Sequence, residues 1–303
     1  MTTPVNKFHL TQRQLLHELE PVVAQNLDRH TAFAVNWDPR DYIPDACEND
    51  APTLTASARS AMITSLLTED NLPSYYRDIA DTFPPGSPWS TWIRTWRAEE
   101  SQHADVLHDY LVATGSVNAD ALKHARMQHM SVGIESTLEG SNLLHSLAHS
   151  TIQEFMTKVY HLNNQVVCGD PVAHRILERI AADEQLHTVF YRNLCDAALD
   201  LAPDQTARAI GDVVMNFPIP GAARRDTRRR TTSVPVQPVY DFDRHLNDVL
   251  VPLLDQWNFF HRTDFGPDGE LIRDRLGVFL EYLGRNAART PHPRPTGSGL
   301  SVG

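Results

Sequence analysis

Apolar residues recur along most of the chain at the three- and four-residue spacing of an amphipathic helix. Near the start, Leu15, Leu19, Val23 and Leu27 follow this spacing. Alternating β-branched runs, which are typical of strands, are scarce. The fold is therefore predicted to be all-α. Helices are expected near residues 15–27, 54–81, 88–115, 118–132, 135–167, 171–201, 203–215, 241–258 and 267–286.

The breaks between these segments carry proline and glycine. Residues 84–86 read Pro-Pro-Gly, and residues 169–171 read Gly-Asp-Pro. In the second break, Asp170 is placed to cap the following helix, with Pro171 at its first position. Helices of nearly 30 residues would be about 40 Å long at 1.5 Å per residue. Such lengths favour an extended helical bundle.

Length and composition favour one domain. The chain has 303 residues, of which 41% are hydrophobic, enough for a sizeable core. We expect a single domain over residues 1–288. Residues 289–303 carry three prolines and three glycines, a composition typical of a disordered tail.

Charge and cysteine usage exclude several classes of protein. A formal net charge of −11 argues against a nucleic-acid binder. The three cysteines, Cys47, Cys168 and Cys195, have no paired spacing, which argues against a disulfide scaffold or a cysteine zinc site. No stretch is apolar enough for a membrane span, and the first ten residues do not resemble a signal or transit peptide. A cytoplasmic protein is expected.

Two predicted helices each carry a Glu-x-x-His motif. One motif is Glu100 with His103, and the other is Glu184 with His187. Residues at i and i+3 share a helix face, so a carboxylate and an imidazole could bind one metal ion. A single copy is more often a solvated helix face. Two copies on two long helices match the pattern of ferritin-like di-metal carboxylate proteins.

That pattern requires one further glutamate on the helix preceding each motif. Glu69 precedes Glu100 by 31 residues, and Glu154 precedes Glu184 by 30. The near-equal spacings suggest a duplicated helix pair. Glu135 and Glu139 compete with Glu154 but break the repeat. Asp70 competes with Glu69, although its neighbouring position turns it away by about 100° of helix rotation.

The chemistry of this set favours iron or manganese. Carboxylate and imidazole ligands suit these metals better than a thiolate-seeking metal. Four carboxylates and two neutral imidazoles could hold two divalent irons with near charge balance. Burying four carboxylates without a cation would be very costly. The predicted metal ligands are Glu69, Glu100, His103, Glu154, Glu184 and His187.

With these residues the chain resembles the soluble acyl-acyl-carrier-protein desaturases over roughly residues 12 to 285. The landmarks agree in order and spacing. They are Trp37-Asp38-Pro39-x-Asp41-x-x-Pro44-Asp45, Thr68-Glu69-x-x-Leu72-Pro73-x-Tyr75, Trp89-x-x-Trp92-x-x-x-Trp96-x-Ala98-Glu99-Glu100-x-x-His103, Gln153-Glu154 and Ile180-Ala181-Ala182-Asp183-Glu184-x-x-His187.

The resemblance implies a ferritin-like four-helix bundle with additional N- and C-terminal helices, assembled as a homodimer. It implies two irons per chain, an acyl chain carried on acyl carrier protein, and dioxygen with electrons from a ferredoxin. The bridging or terminal mode of each carboxylate stays open. Residues 101, 102, 104, 185 and 186 depart from the sequence of many family members, which leaves the electron donor and the position of the double bond undetermined.

Three further roles follow from the resemblance. Thr157, one turn after Glu154, matches an active-site threonine near the oxygen pocket, although a helix threonine can simply bond its own backbone. Asp183 and Trp37 match positions proposed to connect the metal site to the surface. Asp183 could accept a hydrogen bond from a ligand histidine and fix its tautomer. Alternatively, Asp183 is a solvated acid and Trp37 a packing anchor.

A basic segment offers a docking surface for an acidic carrier protein. Residues 221–230 carry five arginines and one aspartate, a charge of +4 against −15 for the rest of the chain. Alternatively, this basic segment is a solvated connection without a partner. The arginines are Arg224, Arg225, Arg228, Arg229 and Arg230.

Two other functions use the same ligands. One is a di-iron hydroxylase or oxygenase acting on an acyl or specialised-metabolite intermediate. The other is a ferritin-like iron-binding protein without an organic substrate. Fold alone does not separate them from a desaturase.

Overall fold

The computed structural model describes residues 9–43, 54–70, 83–132, 142–219 and 239–289. Within these ranges the regular structure is helical, so the predicted all-α fold class is confirmed. The helices are α1 Gln12–Phe33, α2 Ala56–Glu69, α3 Pro88–Ala113, α4 Ala119–Val132, α5 Leu143–Val167, α6 Pro171–Leu201, α7 Pro203–Asn216, α8 242–256 and α9 Pro267–Arg289. Helix α8 joins Phe242–Arg244, a π-helical stretch His245–Leu250, and Val251–Gln256.

Side-chain caps define where the long helices begin. Ser87 caps α3 by accepting from the Ser90 amide. Asp170 caps α6 by accepting from two backbone amides, with Pro171 following at the first position. Gly169 has a φ of 76°, a conformation that glycine adopts without strain. The predicted break at residues 169–171 is therefore confirmed.

Two predicted boundaries are wrong. The helix expected over residues 54–81 ends at Glu69, and Pro73 has no N–H to donate to the Glu69 carbonyl. The helix expected over residues 135–167 begins at Leu143, because Asn142 adopts an extended backbone and its side chain accepts from the His145 amide. Glu135 and Glu139 lie outside the described residues.

Four helices close a ring. Helix α2 packs against α3 and α5, and α6 also packs against α3 and α5. Helix α1 lies against α3 and α6, while α7 lies against α5, α6 and α9. The predicted bundle with added N- and C-terminal helices is thus confirmed. None of the helices in the described ranges is long and apolar enough to cross a membrane.

The apolar interior has two clusters that meet along α3 and α6. On α3, Trp92 and Trp96 belong to the first cluster and Leu107 to the second. On α6, Leu177 belongs to the second cluster and Phe190 to the first. Both Glu-x-x-His motifs lie at the junction of the clusters, so their charged side chains face the middle of the bundle.

Candidate metal centre

The structure brings the six predicted ligands together in two overlapping groups. Each group offers one ligand atom per residue, all within 4.8 Å of one another, and every member is buried. The groups share two carboxylates, Glu100 and Glu184. The first group is completed by Glu69 and His103, and the second by Glu154 and His187.

Both histidines direct Nδ1 at the shared carboxylates. His103 Nδ1 lies 3.5 Å from a carboxylate oxygen of Glu100 and 3.5 Å from one of Glu184. His187 Nδ1 lies 2.9 Å from Glu100 Oε1, 3.5 Å from Glu184 Oε2 and 3.3 Å from Glu154 Oε2. The two helices that carry the Glu-x-x-His motifs, α3 and α6, therefore each contribute to both groups.

Several of these atoms are buried without a hydrogen bond. The Nδ1 atoms of His103 and His187, Glu100 Oε1 and Glu184 Oε2 all lack a partner of acceptable geometry. Buried polar atoms are normally satisfied. A pair of cations between the carboxylates and the two Nδ1 atoms would satisfy them, and the oxygen and imidazole donors are those that iron or manganese accepts. The residues present fit a two-metal centre.

The electrostatics of the cluster also favour cations. Burial, together with the charges of Glu100 and Glu184, raises the pKa of Glu69 and Glu154 well above the usual range. Burial opposes protonation of His103, but the neighbouring carboxylates of Asp183, Glu100 and Glu184 raise its pKa well above the usual range. The carboxylates thus repel one another and attract positive charge, which divalent metals would supply.

Behind His103 lies the pair of residues predicted from the resemblance. Trp37 Nε1 donates to Asp183 Oδ2 over 2.8 Å, and His103 Nε2 lies 3.4 Å from the same oxygen. The Arg179 guanidinium donates to the other oxygen, Oδ1. Asp183 is buried, so it is not the solvated acid of the alternative interpretation. Its carboxylate holds Nε2 and leaves Nδ1 facing the cluster.

Behind His187 lies a second arrangement that the sequence analysis missed. Glu99 Oε2 lies 2.7 Å from His187 Nε2, and Glu99 Oε1 lies 2.9 Å from His30 Nε2. Although burial raises it, bonds from His187 and His30 hold the pKa of Glu99 at about 2. Glu99 immediately precedes Glu100 as Asp183 immediately precedes Glu184, and this shared position was a signal available in the sequence.

A small cavity of about 30 Å³ opens beside the cluster. Thr157 and Glu69 both line it, and Thr157 Oγ1 accepts a hydrogen bond from Gln153 Nε2 over 3.2 Å. The remaining lining residues come from the same two helices, α2 and α5: Thr64, Ser65, Thr68, Gln153, Met156 and Tyr160. The cavity places a hydroxyl next to one of the candidate ligands.

Other candidates lie elsewhere. Asp70, the rival of Glu69, forms a bidentate ion pair with Arg126. The candidate docking residues Arg224, Arg225, Arg228, Arg229 and Arg230 lie outside the described residues, as does the expected tail apart from Arg289.

The described helices form a bundle whose two overlapping carboxylate–histidine groups could hold metal ions. Comparison with known proteins narrows this class. Residues 11–295 match the fatty acid desaturase family. The chain is 37% identical to the provisionally named acyl-[acyl-carrier-protein] desaturase DesA1 of Mycobacterium tuberculosis, over 90% of this chain and 86% of that protein. It is 25% identical to palmitoyl-[acyl-carrier-protein] 4-desaturase 2 of Ophrys sphegodes, over 97% and 85%.

A solved structure agrees with the fold. The X-ray structure of the provisionally named acyl-ACP desaturase DesA2 from Mycobacterium tuberculosis H37Rv superposes with a TM-score of 0.60 at 25% identity, covering 85% of this chain and 98% of that one. The chain therefore belongs to the fatty acid desaturase family, and the predicted resemblance to acyl-carrier-protein desaturases is confirmed. This family of enzymes uses iron, and the buried groups can bind a metal.

Proposed function

We propose that this protein desaturates an acyl chain carried on acyl carrier protein. The acyl chain loses two hydrogens and gains a carbon–carbon double bond. One dioxygen molecule is reduced to two waters by the two electrons from the acyl chain and two from an external donor. Two protons from solvent complete the balance.

The overlap of the two ligand groups is the observation that supports this proposal most directly. Glu69 with His103, and Glu154 with His187, would each help to hold one iron, and Glu100 and Glu184, which belong to both groups, could serve either iron. The names of the similar proteins, which are desaturases of carrier-bound acyl chains, support the substrate class.

The chain's own residues prepare the centre. When bound, two irons supply the chemistry that activates dioxygen for attack on an unactivated carbon–hydrogen bond. Asp183 and Glu99 engage the two Nε2 atoms and orient both imidazoles. Thr157 presents a hydroxyl in the cavity beside Glu69, where it can donate a hydrogen bond to a reacting group.

Partners follow from the same proposal. Trp37, with 8% of its surface exposed, would connect a ferredoxin-like donor to Asp183 and His103. The arginines of residues 221–230 would contact acyl carrier protein, and this contact should weaken with added salt, because charge pairs in water are screened within about 8–10 Å at physiological salt. We also propose two irons per chain, a homodimer and a cytoplasmic location.

The test is a set of acyl carrier proteins loaded with different chains. The iron-reconstituted protein is incubated with each substrate, a ferredoxin, reductant and air, and the acyl chains are read by mass spectrometry. Loss of two hydrogens is expected. A gain of one oxygen would indicate a hydroxylase instead, and no change in any chain with two irons bound would contradict the proposal. His187→Ala protein is the matched inactive control.

A further inference from the structure

Glu69 differs from the other five candidate ligands in its place on the helix. The others lie ten or more residues from both ends of α3, α5 or α6. Glu69 is the last residue of α2, and Asp70 is its C-cap. Helix ends fray because their last backbone groups lack intrahelical partners. A ligand at such a position needs support from outside its own helix.

Asp70, the residue after Glu69, is held from outside the helix by an ion pair. The Arg126 guanidinium donates from Nε to Asp70 Oδ2 and from Nη2 to Oδ1, both over 2.7 Å. The Asp70 side chain is 6% exposed and that of Arg126 is 28% exposed, so the pair is partly shielded from water. Two parallel charge-assisted bonds constrain direction as well as distance.

The helix that carries Arg126 is mostly exposed along its described residues. Within α4, Leu122 is the one buried residue among the described side chains, and Arg126 follows it by one helical turn. Leu122 and Arg126 therefore hold α4 against the bundle. The ion pair links α4 to Asp70, the residue next to Glu69.

We propose that Arg126 is a positioning residue for the metal centre. By holding Asp70 it keeps the end of α2 in place and the Glu69 carboxylate within the first ligand group. The inference rests on the proposed two-metal centre and deepens it, because it makes the metal affinity of the Glu69/His103 half depend on a side chain outside the bundle of four helices.

The test is titration of metal-free protein with Co²⁺, which reports metal affinity without turnover. Wild-type protein should bind two ions. Arg126→Met should bind one ion within twofold of the wild-type affinity and the other at least tenfold more weakly. In the His187→Ala background, where the Glu69/His103 half remains intact, Arg126→Met should weaken the remaining ion by the same factor.

Two further variants separate positioning from general stability. The exchanged pair Asp70→Arg/Arg126→Asp should recover most of the lost affinity. Arg262→Met removes a comparable bidentate bond, from Arg262 to Asp264 on the chain between α8 and α9. It also removes a bond from Arg262 to Asp200 near the end of α6, and it should leave both ions unaffected. Arg126→Lys, which keeps the charge, replaces Arg126→Met if circular dichroism shows that the latter loses helix.

Equal weakening of both ions in Arg126→Met, or wild-type affinity for both, would overturn the inference. The inference would also be overturned if Arg262→Met weakened the binding of one ion as much as Arg126→Met does, since the effect would then be general destabilisation. Wild-type protein that binds no Co²⁺ would instead overturn the proposed function on which the inference depends.

Discussion

The two halves of the candidate metal centre follow one design with different surroundings. In each half, the acid that precedes one Glu-x-x-His motif contacts the histidine of the other motif: Asp183 reaches His103, and Glu99 reaches His187. Beyond these acids the halves diverge. Asp183 also accepts a hydrogen bond from the indole of Trp37, whereas Glu99 also contacts the imidazole of His30 on α1.

The difference suggests that the halves have separate tasks. The Glu154/His187 half has its glutamate inside a helix and a 2.7 Å contact behind its histidine. The Glu69/His103 half has its glutamate at a helix end and a 3.4 Å contact. We therefore expect the first of these halves to bind metal more tightly, and the second to connect with the surface through Trp37.

Removing one histidine at a time should have the largest effect. His103→Ala and His187→Ala each delete one ligand and leave buried carboxylates uncompensated, so each should lose about one of two irons and at least 100-fold in turnover. Helix content should stay close to that of wild type, because the long helices have extensive apolar contacts. Iron analysis, circular dichroism and the desaturation assay measure these three properties.

His174→Ala is the matched control, since His174 is an exposed residue of the same helix, α6, as His187. It should retain both irons and full activity. Full activity in either His103→Ala or His187→Ala would contradict the assignment of the centre.

The acids behind the histidines should give an intermediate effect that distinguishes the halves. Glu99→Gln keeps the shape of the side chain but removes its charge, so metal affinity in the Glu154/His187 half should fall about 10–100-fold. Asp183→Asn should slow turnover more than it lowers iron content, because Asp183 also contacts Trp37. Metal titration and turnover are measured on both variants, and identical losses in both would remove the distinction.

The sequence predicted the repeated parts of this design well. Both Glu-x-x-His motifs and the near-equal spacings to Glu69 and Glu154 depend on helical periodicity, which is local and visible in the residues. Glu99 occupies the same position before its motif as Asp183 does before the other motif. A comparison of the two motifs with each other would have identified it.

Other features depend on tertiary packing, which a single sequence does not show. His30 reaches Glu99 across 69 residues because α1 lies against α3 and α6, and no spacing rule connects them. The end of α2 at Glu69 was also missed, since the apolar pattern continued beyond it. Arg126 had no visible role until α4 was placed beside the end of α2.

The smallest effect concerns histidines outside both halves. Burial lowers the pKa of His161 and His245 to about 4, whereas His103 and His187 have pKa values raised by their carboxylate neighbours. For a histidine with a lowered pKa, the stabilisation is complete above the unfolded value of about 6.5 and is lost as pH falls towards 4. In metal-free protein, protonation of His245 should therefore lower the free energy of unfolding by about 1–2 kcal/mol as the pH falls from 7 to 5.

Urea unfolding at both pH values tests this in wild type and in His245→Gln. Glutamine keeps an acceptor for the Tyr240 hydroxyl, which bonds His245 Nδ1 over 2.8 Å, but does not titrate. The variant should therefore lose less stability than wild type on acidification. Glu99, whose pKa is held at about 2, keeps its contribution throughout this range, so Glu99→Gln should lower stability by a similar amount at both pH values. If His245→Gln showed the full wild-type loss, protonation of His245 would not be its cause, and the contrast between histidines inside and outside the centre would fail.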